Sequence, residues 1–143
     1  MKGTLIWIAS VAAIAYFASI LLLYLFQRSF LYFPDDRWFE PAEVGLNGYE
    51  TVEIRAAPAR LRSWWRAPPK PGAPVILHFH GNGGSIAGRA GMYAALAGED
   101  YGMLAAEYPG YAGNDGDVSE AALFASAAAH YDWLIARGRL LVN

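Results

Sequence analysis

The densest chemistry in the chain lies in His78-Phe79-His80-Gly81-Asn82-Gly83-Gly84-Ser85. Small, flexible residues set together expose backbone N–H groups that can cradle an anion or the oxyanion of a tetrahedral intermediate. His78 and His80 share one face of a strand by period two and could offer two metal ligands. No third ligand stands at a recognisable spacing, so packing is the simpler reading and no metal or other cofactor is expected. The loop lacks the lysine and hydroxyl of a Walker site, which argues against nucleotide binding. Gly83-Gly84-Ser85-Ile86-Ala87 comes close to Gly-x-Ser-x-Gly, and Asp115, Asp117 and His130 follow in the order Ser, Asp, His. This triad is set aside. Ser85 follows a run of glycines instead of a strand and is expected to cap the next helix, and His130 falls inside a predicted helix. Asp115 and Asp117 are read as solvated turn residues. Cysteine is absent, which removes thiol catalysis, thiolate metal sites and disulfides together.

These residues need elements to position them. Val75-Ile76-Leu77-His78-Phe79 is a short apolar run ended by glycines, the pattern of a strand buried on both faces in a parallel sheet. The glycine loop then lies at the carboxyl edge of that sheet, where ligands of open α/β sheets bind. Upstream, Glu50 to Arg55 alternates with period two. Ala56-Ala57-Pro58-Ala59 reads as a turn, and Leu61 to Arg66 as the second strand of a hairpin. Trp64 and Trp65 are expected to be one core and one outer-face residue. The proline-rich stretch from Pro68 to Pro74 is a surface loop. Downstream, Ile86 to Ala97 reads as a helix, Gly102 to Tyr108 as a strand, and Pro109 to Gly116 as a long turn. Ser119 caps a helix running to about Ala136, with Leu123, Phe124, Ala127, Tyr131 and Leu134 on one face. Leu140-Leu141-Val142 has the look of a further strand. The order is an α/β pattern.

Leu5 to Phe26 carries no charged residue and is long enough, at about twenty residues, to cross a bilayer as a helix. Ala13-Ile14-Ala15 has the small-x-small pattern of a signal-peptide cleavage site. The apolar run continues well past it, however, which favours a retained anchor. Trp7, Tyr24, Phe26, Phe30, Tyr32 and Phe33 suit the interfacial zones. Lys2 on one side balances Arg28 and Arg37 on the other, so the charge count sets no orientation. Phe30 to Trp38 is expected to pack on the membrane surface or on the following domain. The net charge of −2, with no basic stripe, excludes nucleic acid as a partner.

His80-Gly81-Asn82-Gly83-Gly84 after a strand, then Glu107-Tyr108-Pro109-Gly110-Tyr111-Ala112 one βα unit later, then Ser119-Glu120 at a helix start, resembles membrane-anchored α/β-hydrolases of the serine hydrolase superfamily. The likeness runs from Phe30 to the last residue. Departures are Ala56 to Ala59 in place of an Asp-Gly turn, Ala112 in place of glycine, Val118 in place of proline, and Ser126 in place of a helix aspartate. The resemblance implies a transmembrane helix followed by a truncated α/β-hydrolase fold: a hairpin, then βαβα of a mostly parallel sheet. Residues 1–27 would be the anchor, 28–49 a juxtamembrane segment and 50–143 an incomplete hydrolase domain. It also implies backbone oxyanion donors at Asn82 and Gly83, Asn82 first, with His80, Gly81, Tyr108, Gly110 and Tyr111 supporting the loop.

In that family a Gly-x-Ser-x-Gly elbow follows the next strand, with the acid and histidine beyond it. None of these occurs after Leu140-Leu141-Val142, so the chain reads as the N-terminal part of a hydrolase, inactive alone. Its substrate class would be an ester, thioester or amide, and its one other partner the lipid bilayer through Leu5 to Phe26. The alternative is a non-catalytic membrane-tethered interaction module. On that reading the Val75 strand, left with an open edge, takes a strand from a partner.

Overall fold

The computed structural model describes residues 2–137, which divide into two units, one ending at Tyr32 and the other beginning at Phe33. The first is a single helix, α1 (Lys2–Leu31), with no buried residue. It is the one helix among the described residues long and apolar enough to cross a membrane, and so a candidate anchor. It outruns the apolar span Leu5 to Phe26 because nothing in Gln27-Arg28-Ser29-Phe30-Leu31 breaks a helix before Pro34. At about 1.5 Å per residue it is about 45 Å long, against about 30 Å of hydrocarbon. Two of its polar side chains turn back on their own backbone: Ser19 Oγ donates to Ala15 O (2.8 Å) and Gln27 Nε2 to Tyr24 O (2.8 Å). Such bonds lower the cost of placing them in lipid.

The second unit opens with β1 (Phe33–Pro34) and a 3-10 turn at Pro41–Val44. The antiparallel hairpin β2 (Glu50–Ala56) and β3 (Ala59–Arg66) comes next. Ala56 pairs with Ala59, so the expected four-residue turn narrows to Ala57 and Pro58, joined by a cis peptide. β4 (Val75–Phe79) leads into the glycine loop, whose Gly83–Gly84 forms a short strand, β5. A 3-10 turn (Ile86–Arg89), α2 (Ala90–Ala97), β6 (Gly102–Ala106) and α3 (Glu120–Ile135) complete it. The main sheet has the order β2-β3-β6-β4, with β4 and β6 parallel and β3 antiparallel to β6. The hairpin and the βαβα order are those expected from the sequence.

Helices cover both faces. On one, Trp64, Tyr93, Ala97, Met103 and Ala105 form a core with Ile86 and Leu46; on the other, Ile54, Trp65, Leu104 and Leu134 do so. This corrects the expectation for the tryptophan pair. Trp64 and Trp65 do point to opposite faces, but both are buried, because α3 lays Trp133 edge-on to Trp65 at 5.3 Å. The buried face of α3 matches the expected one only in part: Leu134 is buried and Leu123 and Ala127 are half-buried, as expected. Ser126, His130 and Leu134 are buried, while Phe124 is 71% exposed and Tyr131 is exposed. Apolar spacing failed there because the buried stripe carries a serine and a histidine whose polar atoms are bonded internally.

β4 likewise departs from full burial. All five of its residues are half-buried, since its second edge carries no strand among the described residues. The strand anticipated at Leu140-Leu141-Val142 lies outside the described residues. The stretch from Phe33 to Asp35 belongs to the second unit. β1 pairs in parallel with β5, and Asp35 N donates to Gly84 O (3.1 Å).

Candidate oxyanion loop and its supports

β4 delivers His80 to the carboxyl edge of the sheet, next to the end of β6, because Phe79 pairs with Ala106. Beyond β6, Glu107 is fully buried. Its Oε1 pairs with His80 Nε2 and accepts from Tyr108 N (3.2 Å), and its Oε2 accepts from Ile86 N (2.9 Å). One carboxylate therefore ties both ends of residues 80–86. His80 Nδ1 in turn lies 2.7 Å from Gly81 O. His80 is thus held by the loop and Glu107; among the described residues there is no group of three metal-ligating side chains.

The loop's carbonyls are pinned one by one. Tyr108 Oη donates to His80 O (2.8 Å), while Tyr111 Oη and Phe33 N donate to Asn82 O (2.8 and 2.9 Å). In a trans peptide the N–H points opposite to the carbonyl. Securing Asn82 O thereby orients the Gly83 N–H, and the Gly81 carbonyl facing His80 orients the Asn82 N–H. Gly81 and Asn82 are exposed. The two tyrosines come from the turn after β6, which Gly110 makes possible. Its φ is +74°, and a Cβ there would meet Gly116 O at 3.0 Å. Ala112 adopts φ +49°, the left-handed region that glycine fills at no steric cost, and it donates to Asp35 O (2.6 Å). Burial pushes the Tyr108 hydroxyl up to about 12, with the neighbouring Glu107 charge acting in the same direction, which keeps it a neutral donor.

A second layer lies beneath. Glu107 N donates to Ser63 Oγ (3.1 Å), and Ser63 Oγ lies 2.8 Å from His130 Nε2. His130 Nδ1 faces Ser126 O at 2.7 Å. A carbonyl only accepts, so Nδ1 carries the hydrogen; burial disfavours the charged ring, which leaves Nε2 to accept from Ser63. Serine and histidine within hydrogen-bond distance suggest nucleophilic chemistry, but both are fully buried. Their role is to orient the peptide that carries Glu107. The rejected triad finds no geometric support: His130 engages Ser63, not Ser85, and Asp115 and Asp117 are exposed. Ser85 does precede the 3-10 turn, but it makes no side-chain cap, which corrects that expectation; Glu107 has taken the Ile86 N–H.

Burial holds His130 below the ordinary histidine range, as it does His78, where Arg89 adds to the effect. A depressed histidine binds its proton later in the folded state than in the unfolded one. Stability is therefore complete above the unfolded value of about 6.5 and is lost as pH falls through the folded value, by up to about 1.4 kcal/mol per unit. His130→Asn should flatten part of this slope in urea unfolding followed between about pH 8 and pH 5, leaving the share due to His78.

Sequence reasoning named His80, Tyr108 and Tyr111 as supports but missed Glu107, Ser63 and His130. A charged residue ending an otherwise apolar strand, as Glu107 does, was the available signal.

No family model matches the chain. It is 32% identical over 128 residues to an uncharacterised protein of Mycobacterium tuberculosis, covering 87% of this chain and 46% of that one. It is 31% identical over 103 residues to lysophosphatidylserine lipase ABHD12 of Danio rerio, covering 68% and 27%, and 28% identical over 106 residues to that of Xenopus tropicalis, covering 70% and 28%. The crystal structure of an α/β-hydrolase from Vibrio vulnificus superposes with a TM-score of 0.54 at 24% identity, over 62% of this chain and 30% of that one. The fold is that of the α/β-hydrolases. It spans about half the length, 46%, of the first of these curated relatives and less of the lipases.

Proposed function

We propose that residues 80–84 form the oxyanion loop of a membrane-tethered serine hydrolase acting on the ester of a lysophospholipid-like substrate, within the broader class of esters, thioesters and amides. The supporting observation is the pinning of two loop carbonyls, Gly81 O by the His80 ring and Asn82 O by Tyr111 and Phe33. It pre-orients the amides of Asn82 and Gly83, and oriented donors are what an oxyanion hole needs. The identity of the lipid class is carried over from the lysophosphatidylserine lipases the chain resembles. α1 would supply the tether.

The 143 residues contain no Gly-x-Ser-x-Gly. The purified chain is accordingly expected to resist a fluorophosphonate probe. Where its reading frame continues past Asn143, the extended polypeptide should be labelled on one serine in such an elbow. Stoichiometric labelling of a serine in the 143-residue chain would overturn the first expectation, and an unlabelled extended polypeptide the hydrolase reading itself.

β4, half-buried and with no strand on its second edge among the described residues, favours a second reading, a tethered module in which that edge pairs with a partner strand. That reading requires a stable monomer or a specific complex at low concentration; uniform aggregation would count against it.

A further inference from the structure

Arg89 ends the 3-10 turn after the glycine loop and folds its guanidinium back over that loop. Nη2 lies 3.7 Å from where a Cβ on Gly81 would stand, and Nη1 3.9 Å from one on Gly84. Its hydrogen bond is to Gly83 O at 3.5 Å, long for a group with five N–H donors. Among the described residues the ion pairs are Arg60 with Glu53 and His80 with Glu107, and neither engages Arg89. The side chain is half-buried, so its charge is partly stripped of water with no carboxylate in return. His78 Nδ1, on the strand that feeds the loop, and Ser85 Oγ, at the loop's end, are buried polar atoms without a hydrogen-bond partner among the described residues. The charge of Arg89 reaches the His78 ring as well, on the strand that feeds the loop.

We propose that Arg89 binds the phosphate oxygens of an anionic lipid substrate, beside the amides of Asn82 and Gly83. This rests on the hydrolase reading above and adds the residue that selects the head group. A guanidinium presents paired N–H donors that match phosphate oxygens, which an ammonium does not. In a lysophospholipid only the glycerol backbone separates the ester from the phosphate. The two groups can therefore be held at once by amides and guanidinium on neighbouring parts of one loop. At Gly81 and Gly84 no Cβ stands against the guanidinium.

The test uses the full chain in non-ionic micelles, with 15N-labelled arginine. Three ligands are titrated: lysophosphatidylglycerol, the monoacylglycerol of the same acyl chain, and inorganic phosphate. The Arg89 Nε–Hε resonance, identified by its loss in Arg89→Lys, should move with lysophosphatidylglycerol, and added salt should reverse the movement. Arg89→Gln should weaken that ligand about tenfold or more and leave the monoacylglycerol unchanged, with Arg89→Lys between. Equal affinity of the wild-type chain for the two lipids overturns the proposal. So does an equal loss of both in Arg89→Gln, which would mean that Arg89 only supports the loop. Inorganic phosphate binding as tightly as the lysolipid would assign the site to the free ion and overturn the lipid assignment. The readout is binding and needs no nucleophile, so its failure is separable from failure of the extended polypeptide to react with a fluorophosphonate.

Discussion

Replacing Glu107 by leucine is expected to cost about 3–5 kcal/mol of folding stability, the range for removing one partner of a buried charged pair. The leucine fills much of the same volume, so the loss is one of acceptors. His80 Nε2, Ile86 N and Tyr108 N all direct their hydrogens at this carboxylate inside the domain. Each donor left without a partner and without water costs about 1–3 kcal/mol. Against a total stability of about 5–15 kcal/mol, the change removes about a fifth at the upper end of that range and most of it at the lower end. Glu107→Gln keeps one acceptor oxygen but turns an NH2 toward the remaining donors, so an intermediate loss of about 1–3 kcal/mol is expected. Urea unfolding followed by tryptophan fluorescence measures both. The loss should come with faster proteolysis at Gly81 to Gly84, because the carboxylate bridges the two ends of that segment. A leucine variant as stable as the parent would show that the tyrosine hydroxyls and the β1 pairing hold the loop without the carboxylate.

The same carboxylate marks where the sequence was legible and where it was not. Strand β4 and its glycine loop could be read because their signals are local: a β-branched apolar run, then residues that tolerate tight turns. The Tyr108 to Ala112 turn was legible as a motif, and Gly110 at φ +74° shows why a glycine stands in it. Glu107, Ser63 and His130 were not legible, since each belongs to a network closed across 27 to 67 positions of chain. Taken singly, a strand-end glutamate, a strand serine and a helix histidine do not reveal that they meet. The buried face of α3 was partly misjudged for the same reason, as Ser126 and His130 lie on it. β1 could not be foreseen at all. Phe33–Pro34 against Gly83–Gly84 has no strand signature, and the pairing exists because the loop's carbonyls need donors.

Trp64→Ala is expected to be as damaging as the loss of Glu107, at about 3–5 kcal/mol, through a different mechanism. Trp64 is fully buried between Trp38 and Tyr93, edge-on to each at 6.1 and 6.4 Å, and Tyr93 meets the His78 ring at 5.3 Å. Removing the indole leaves a cavity that α2 can close only by moving toward β6. Tyr93 and the turn carrying Arg89 would shift with it. Trp64→Phe separates packing from hydrogen bonding. Among the described residues Trp64 Nε1 has no hydrogen-bond partner, so phenylalanine keeps a ring in the stack and deletes a buried donor that contributes nothing. Its cost should stay below about 1.5 kcal/mol, the range for a tolerated hydrophobic exchange. Denaturant midpoints of the three proteins give the ratio directly. A phenylalanine variant that loses as much as the alanine one would mean that the indole N–H is bonded in solution. The core under the loop would then be polar at the position where packing alone is expected to hold it.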